Sequence, residues 1–197
     1  MNISDFKPIN YTLQEVFRLQ KIIKFKFEPS CKRLFESFDI DHLESQEIFK
    51  KFAWRITEEL IEAKEEVVHL DHIHEEIIDS FNFIIEIYLL YGWDQTKLSP
   101  FSWPIRVINP LEDPIINYDK ELFDVIYRLG LTCNLLKNRQ WRSSQYLVDL
   151  YIFEERFRSV WDAILNLFSA LGLTPKQVLR LWSLKYQVNN FRIRTNY

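Results

Sequence analysis

The stretch TEELIEAKEEVVHLDHIHEEIIDSF, residues 57–81, decides how the fold and the site of this sequence are interpreted. It holds nine carboxylates against one lysine, Lys64, although the 197-residue chain carries a net charge of only −3. A solvated helical surface explains such a concentration of acids, and so does a site for a divalent cation. The spacing of the acids along the chain favours the second explanation.

Helical periodicity covers most of the chain on both sides of this stretch. With 3 glycines and 47% hydrophobic residues, the sequence has little of the glycine that tight β-turns need. Thr174 is typical of an N-cap, Pro175 of a first helical position and Gly92 of a helix C-cap. We expect a single all-α domain over residues 1–197, a helical bundle. Apolar residues recur at about 3.6-residue spacing in 11–27, 45–68, 72–91, 118–137, 144–171 and 175–192.

A proline-rich segment interrupts the helical pattern in the middle of the chain. Four of the seven prolines, Pro100, Pro104, Pro110 and Pro114, fall between residues 98 and 114. Proline removes a backbone donor and disfavours helix interiors. We expect an irregular connection or a mobile flap, an insertion at about 94–117.

Composition excludes several classes of protein. Cys31 and Cys133 lie far apart without a CxxC pair, so neither a disulfide framework nor a zinc ribbon is indicated, and a reducing cytoplasm fits best. No apolar run reaches the length of a membrane span, and the N-terminus lacks the apolar core of a signal peptide. A sequence pI near 5.9 does not suggest nucleic-acid binding.

Aromatic content points to an interface. Aromatic residues make up 16% of the chain, which is more than one helical domain of this size readily hides. They include Trp54, Trp141, Trp161 and Trp182. We expect a homodimer.

The acids of the opening stretch lie beside apolar helical stripes. Glu59 and Glu62 border a stripe that contains Ile56, and Glu76 and Asp79 lie on a helix that is apolar nearly all round. A buried carboxylate without a partner costs several kcal/mol, so these acids need a counter-charge. Ligation by several carboxylates suits Mg²⁺, with Mn²⁺ as a possible substitute.

Three histidines between the two acid pairs have a separate interpretation. His69, His72 and His74 have the chemistry of zinc ligands, but no cysteine lies near them and they fall at the turn between two helices. We therefore expect them to be exposed.

The C-terminal part of the chain has the opposite charge. Residues 137–197 contain ten basic and four acidic side chains, a net charge of +6. Lys185, Asn189 and Arg192 are spaced by four and three residues, so they project from one helical stripe. An acidic half and a basic half suit a metal ion with a polyphosphate, but charge pairing between the halves of a bundle or dimer explains the pattern as well.

Several motifs resemble one known family. WRITEELIEA, HEEIIDSFNF, LLKNRQW and LWSLKYQVNNFRIRTNY are similar, in this order, to motifs of the dimeric all-α dUTPases and phage dCTPase-dUTPases, within the MazG-like all-α NTP pyrophosphatase superfamily. The resemblance covers most of the chain. Its most specific part is the pattern K-x3-N-x2-R-x4-Y that ends at Tyr197.

The resemblance implies a role for each matching residue. Glu59, Glu62, Glu76 and Asp79 would ligate Mg²⁺, and Glu59 or Glu62 would orient or deprotonate the attacking water. Gln20 and Asn82 would contact the base or sugar. Two positions depart from the family pattern, Ile23 and the ending that follows Arg192, and both concern the identity of the base. The implied phosphate ligands are Lys185, Asn189, Arg192 and Tyr197, with Lys137 and Arg139 as weaker candidates.

The activity that the resemblance implies is Mg²⁺-dependent hydrolysis of dUTP, with dUDP and dCTP as further substrates. The products would be a nucleoside monophosphate and, from a triphosphate, pyrophosphate. Two alternatives stay open at this point. The first is a pyrophosphatase of the same superfamily that acts on another nucleotide. The second is a nucleotide-binding regulatory protein that has lost turnover.

Overall fold

A computed structural model describes residues 6–66, 69–103, 114–141 and 143–195, with residues 114–117 described through their backbone. Within these ranges there are seven α-helices and no β-strand, so the predicted all-α fold is confirmed. None of these helices is both long and apolar enough to cross a membrane. The helices are α1 (Leu13–Phe27), α2 (Cys31–Glu36), α3 (Leu43–Glu65), α4 (Leu70–Leu90), α5 (Pro114–Cys133), α6 (Leu150–Ala170) and α7 (Pro175–Thr195).

Side-chain caps mark the starts of α1 and α7, and a glycine follows the end of α4. Thr12 and Glu15 form a reciprocal capping box at the start of α1. At the start of α7 the Thr174 hydroxyl accepts from the backbone N–H of Gln177, which confirms the predicted N-cap. After α4 the chain passes through Gly92 at a φ of 85°, a conformation that favours glycine.

Three helix boundaries differ from the sequence-based expectation. Helix α6 begins at Leu150 rather than near residue 144, because Asp149 caps it and the residues before it are held extended. The Val148 N–H, for example, donates to Asp41. Helix α5 runs from Pro114 to Cys133, four residues earlier than expected at each end. The short helix α2 was not predicted, since six residues are too few for a periodic signal.

The irregular connection predicted for residues 94–117 is partly regular in the structure. A single 3₁₀ turn, Gln95–Lys97, lies in its first part, and Pro114 already belongs to α5. Pro104 and Pro110 lie outside the described residues. The start of α5 at a proline agrees with the preference of proline for the first turn of a helix.

Helix α4 is the centre of the bundle. Helix α3 packs along it, α1 and α7 both contact it, and α5 packs along α6. Its apolar side is fully buried, and Tyr88 stacks on Phe157 with ring centroids 4.2 Å apart. The expected burial of this helix is therefore confirmed. Its polar residues lie on the side that α1, α3 and α7 surround.

Four of the six tryptophans, those named above for the interface, form two contrasting pairs. Trp161 and Trp182 are fully buried and pack in the core. Trp54 and Trp141 are 63% and 79% exposed. Only the second pair is therefore available for the interface that the aromatic content suggests.

Candidate active site

A pocket of about 360 Å³ is surrounded by α1, α3, α4 and α7. It brings together seven of the predicted site residues, which come from four separate helices. These are Gln20, Glu59, Asp79, Asn82, Lys185, Asn189 and Arg192. The remaining lining residues are Ile23, Lys24, Phe27, Arg55, Phe83 and Glu86.

One end of the pocket is lined by Glu59 and Asp79, and the carboxylates of Glu62 and Glu76 lie beside Glu59; these four acids are here called the acidic end. Glu59, Glu62 and Glu76 each offer a carboxylate oxygen, and these oxygens all lie within 4.8 Å of one another. Asp79 follows Glu76 by one turn of α4 and lines the pocket with Glu59. The predicted i,i+3 pairs on two helices therefore face each other.

Burial and mutual repulsion disfavour the ionised form of carboxylates at the acidic end. Burial raises the pKa of Glu59 to about 7, and the nearby charges of Asp79, Glu62 and Glu76 contribute to the rise. Burial and then the charge of Asp79 also raise the pKa of Glu76. A divalent cation would relieve this repulsion, and oxygen-only donors are the set that Mg²⁺ prefers. The residues present fit that ion.

Lys185 bridges the acidic end and the basic side of the pocket. Its Nζ lies 2.6 Å from Oδ2 of Asp79 and 2.6 Å from Oε1 of Glu75. Burial opposes the charge of Lys185, but Asp79 and Glu75 outweigh it and raise its pKa. Asn189 and Arg192 follow on the same side of α7 and also line the pocket. The predicted stripe of anion-binding residues thus faces the acids.

The other end of the pocket, here called the amide end, consists of Gln20, Lys24 and Glu86. Glu86 is only 5% exposed, and its Oε1 accepts a hydrogen bond of 2.9 Å from Nε2 of Gln20. Its Oε2 lies 3.3 Å from Nζ of Lys24. Burial raises the pKa of Glu86, while Lys24 and Gln20 oppose the rise. This end contains a buried acid that the chain itself supplies with a cation and a donor.

Asn82 lies between the two ends, one turn of α4 after Asp79. Its Oδ1 accepts a hydrogen bond of 2.7 Å from the indole Nε1 of Trp182, and both groups are buried. Its Nδ2 lies 3.4 Å from Oδ1 of Asp79. Phe83, the next residue along α4, and Phe27 give the pocket apolar walls.

Two predicted phosphate ligands, Lys137 and Arg139, do not join the pocket residues. Lys137 donates to Asn134, and Arg139 donates to the backbone carbonyls of Leu136 and Asn138. Both lie near Lys50, on the N-terminal half of α3. Tyr197 lies outside the described residues.

The histidines are only partly as expected. His69 and His72 are exposed, with ring centroids 5.4 Å apart. His74 is half-buried, and its Nε2 has no hydrogen-bond partner among the described residues, so the prediction of exposure is wrong for it. The reason is its position on α4, whose first turns already pack in the bundle. Burial lowers the pKa of His74.

Sequence reasoning missed Glu86 and Lys24. A signal was available for each, because Glu86 follows Asp79 by two turns of α4 and Lys24 follows Gln20 by one turn of α1. Arg55, one turn before Glu59 on α3, also lines the pocket and was missed.

Comparison with known proteins gives no relative for this chain. No protein-family model matches it, and no curated protein sequence or solved structure has a significant match. The pocket and the sequence motifs are therefore the observations from which its function is inferred.

Proposed function

We propose that this protein is a Mg²⁺-dependent nucleotide pyrophosphohydrolase that acts on deoxypyrimidine nucleotides of the dUTP and dCTP type. One observation carries the proposal. The pocket that contains Glu59 and Asp79 also contains Lys185, Asn189 and Arg192. Carboxylates for a cation and cations for an anion in one pocket are the requirements of phosphate-ester chemistry.

Glu59, Glu62, Glu76 and Asp79 would hold Mg²⁺ at the acidic end. When bound, this ion neutralises phosphate charge and lowers the pKa of a coordinated water. Burial and the charges of the neighbouring acids raise the pKa of Glu59 to about 7. A carboxylate with that pKa is suited to accept a proton from an attacking water at physiological pH.

The α7 residues would hold the phosphates. Lys185 Nζ lies 2.6 Å from Asp79, so its ammonium group would pair with a phosphate placed beside the acidic end. Arg192 supplies a planar donor group that suits phosphate oxygens. Phe27 and Phe83 offer apolar faces for a base, and Gln20 and Asn82 offer amides to its edge.

The resemblance to the all-α dUTPases supports the same chemistry, because seven of the residues that it assigns to the site line the pocket. The LLKNRQW motif, with Lys137 and Arg139, lies elsewhere. It favours dUTP as substrate, with dUDP and dCTP beside it. Attack on the polyphosphate of a triphosphate would release a nucleoside monophosphate and pyrophosphate.

The direct experiment is a screen of purified protein with Mg²⁺ against dUTP, dUDP, dCTP, dTTP, dATP and dGTP. Release of pyrophosphate or phosphate and of the monophosphate is measured, with EDTA in parallel. We expect turnover of a pyrimidine deoxynucleotide that EDTA abolishes. Turnover of a purine nucleotide alone would favour another substrate for the same chemistry. Binding without any turnover would favour a regulatory protein.

A homodimer is the second part of the proposal. Several large apolar side chains are exposed on the loop before α6 and on its first turn, which a second copy would cover. Sedimentation equilibrium at micromolar concentration should give a mass near 48 kDa, twice the 24.0 kDa of the chain. A 24 kDa species would contradict it. The side chains include Trp141, Tyr146, Leu147, Leu150 and Tyr151.

A further inference from the structure

The amide of Gln20 has only one orientation open to it at the amide end. An ionised carboxylate accepts hydrogen bonds and cannot donate them, so Glu86 fixes the amide nitrogen of Gln20 toward itself. Lys24, 3.3 Å from Glu86, favours the ionised form. The other end of the amide, Oε1, has no hydrogen-bond partner among the described residues. Gln20 therefore offers the pocket an acceptor.

The amide of Asn82 is fixed the other way round, with its nitrogen toward the pocket. The indole N–H of Trp182 can only donate, so it must meet the carbonyl oxygen of Asn82. The nitrogen of Asn82 then faces the pocket and the neighbouring Asp79. Asn82 therefore offers the pocket a donor.

The donor and the acceptor have a defined order along the pocket. Asn82 lies one turn of α4 beyond Asp79, and Glu86, which holds Gln20, lies one further turn beyond Asn82. Successive turns of an α-helix are about 5.4 Å apart. A base whose phosphates occupy the acidic end meets the donor first and the acceptor at its far edge.

This order matches one pyrimidine better than the other. The far edge of cytosine is an amino group, a donor, and the ring nitrogen before it is an acceptor. Uracil has the reverse order, with a carbonyl at the far edge and an N–H before it. A uracil carbonyl would therefore face the oxygen of Gln20.

We propose that Glu86 is a positioning residue that sets the base preference of this pocket, by holding the Gln20 amide with its oxygen toward the ligand so that cytosine nucleotides bind better than uracil nucleotides. The inference rests on the proposed function, since it places the phosphates at the acidic end. It adds a residue to the site, and it places dCTP before dUTP, the reverse of the order that the family resemblance favours.

Glu28 provides a matched control for the charge of Glu86. Its Oε2 lies 3.2 Å from Nζ of Lys24, so both acids pair with the same lysine. Glu28 does not line the pocket and makes no hydrogen bond to Gln20 among the described residues. Glu28→Gln therefore removes one negative charge from Lys24 and leaves the Gln20 amide fixed, whereas Glu86→Gln allows that amide to turn over.

The test is isothermal titration calorimetry of dCMP and dUMP with the wild-type protein, Glu86→Gln and Glu28→Gln. The two ligands share sugar and phosphate, so the ratio of their Kd values isolates the base. We expect the wild type to bind dCMP about tenfold more tightly, the effect of one hydrogen bond gained or lost. The ratio should fall to within about twofold in Glu86→Gln and persist in Glu28→Gln.

Each other outcome has a distinct meaning. Equal or tighter binding of dUMP by the wild type would overturn the inference, whether or not the variants fold. An unchanged ratio in a folded Glu86→Gln would overturn the role of Glu86. In both cases, hydrolysis of deoxynucleotides by the wild type would leave the proposed function standing. Absence of both binding and hydrolysis would overturn the proposed function and the inference together.

Discussion

The two ends of the pocket each contain acids on α4, but they differ in how those acids are compensated. At the amide end, Glu86 has a lysine and an amide donor supplied by α1. At the acidic end, Asp79 has Lys185, whereas Glu59, Glu62 and Glu76 form no salt bridge with the described residues. The acid of the amide end is paired with a cation, whereas three of the four carboxylates of the acidic end are not, within the described part of the chain.

This difference indicates which acids position a neighbouring side chain and which bind a cation. A carboxylate that the chain itself neutralises can hold a neighbouring side chain in place, as Glu86 holds Gln20. Carboxylates left in mutual repulsion disfavour the ionised state until a cation joins them. We therefore assign the acidic end to the metal and the amide end to the base, and the following experiments test that division.

The largest effect is expected at the acidic end from Glu59→Gln. Loss of the carboxylate removes a metal ligand and the group suited to accept a proton, so kcat should fall by about 10²–10⁴-fold. Circular dichroism should show unchanged helicity. Glu44→Gln is the matched control, because Glu44 lies exposed in the first turn of the same helix, does not line the pocket and should leave kcat unchanged. Near-normal activity of Glu59→Gln would remove Glu59 from the chemistry.

At the amide end, Gln20→Ala should weaken recognition of the base and leave the hydrolytic step intact. Loss of one hydrogen bond to a buried ligand group costs about 1–3 kcal/mol, so kcat/KM for the preferred nucleotide should fall about ten- to a hundredfold. Preference among dUTP, dCTP and dTTP should weaken. Arg192→Ala should reduce kcat/KM for all three alike, because phosphates carry no base identity. An equal loss on every nucleotide in Gln20→Ala would make Gln20 a structural residue.

Removal of Lys185, the cation that pairs with Asp79 at the acidic end, should destabilise the metal-free protein. Lys185→Met leaves Asp79 and Glu75 without their shared partner, and we expect a loss of about 1–3 kcal/mol in urea unfolding at pH 8. Millimolar Mg²⁺ should restore part of the loss. Lys137→Met, whose exposed lysine bonds only to Asn134, should change the free energy of unfolding by less than about 0.5 kcal/mol. Equal effects of the two substitutions would contradict the ion-pair account.

The smallest expected effect is a pH dependence. The pKa of Glu59 is raised from 4.5 to about 7, so the folded metal-free protein binds more protons than the unfolded chain between these values. Stability from this group is present below pH 4.5 and lost as the pH rises through about 7. The thermal midpoint of the wild type should therefore fall across this window more than that of Glu59→Gln. Millimolar Mg²⁺ should reduce the fall of the thermal midpoint. Identical pH profiles of the wild type and Glu59→Gln would show that folding does not raise the pKa of Glu59.

The sequence predicted the parts of the site that lie within single helices. The i,i+3 acids of α3 and α4 share faces that periodicity reveals, and consecutive long helices commonly pack together. Lys185, Asn189 and Arg192 share a face of α7 for the same reason. All of these residues meet around one pocket, apart from the exposed Glu62 and from Glu76, which join it through the carboxylate of Glu59.

Partners from distant segments were beyond the sequence. Gln20 and Glu86 are 66 residues apart, and Lys185 and Glu75 are 110 apart, so nothing local links them. Lys137 and Arg139 show the opposite error, since the sequence placed them at the site and the structure does not. Asn138 between them bonds to Gln46 on α3, so their loop is fixed away from the pocket. Which faces of the helices pack together depends on the whole core, and periodicity does not determine it.

Direct binding of a metal ion tests the central claim without any assumption about the substrate. Mn²⁺, which substitutes for Mg²⁺ at carboxylate sites, can be titrated at pH 8 and the free ion followed by electron paramagnetic resonance. The wild-type protein should bind Mn²⁺ and release it to excess Mg²⁺, and Glu62→Gln should bind it at least about tenfold more weakly. Equal Mn²⁺ binding by the wild type and Glu62→Gln, or none by either at millimolar concentration, would contradict the assignment of the acidic end as a metal site.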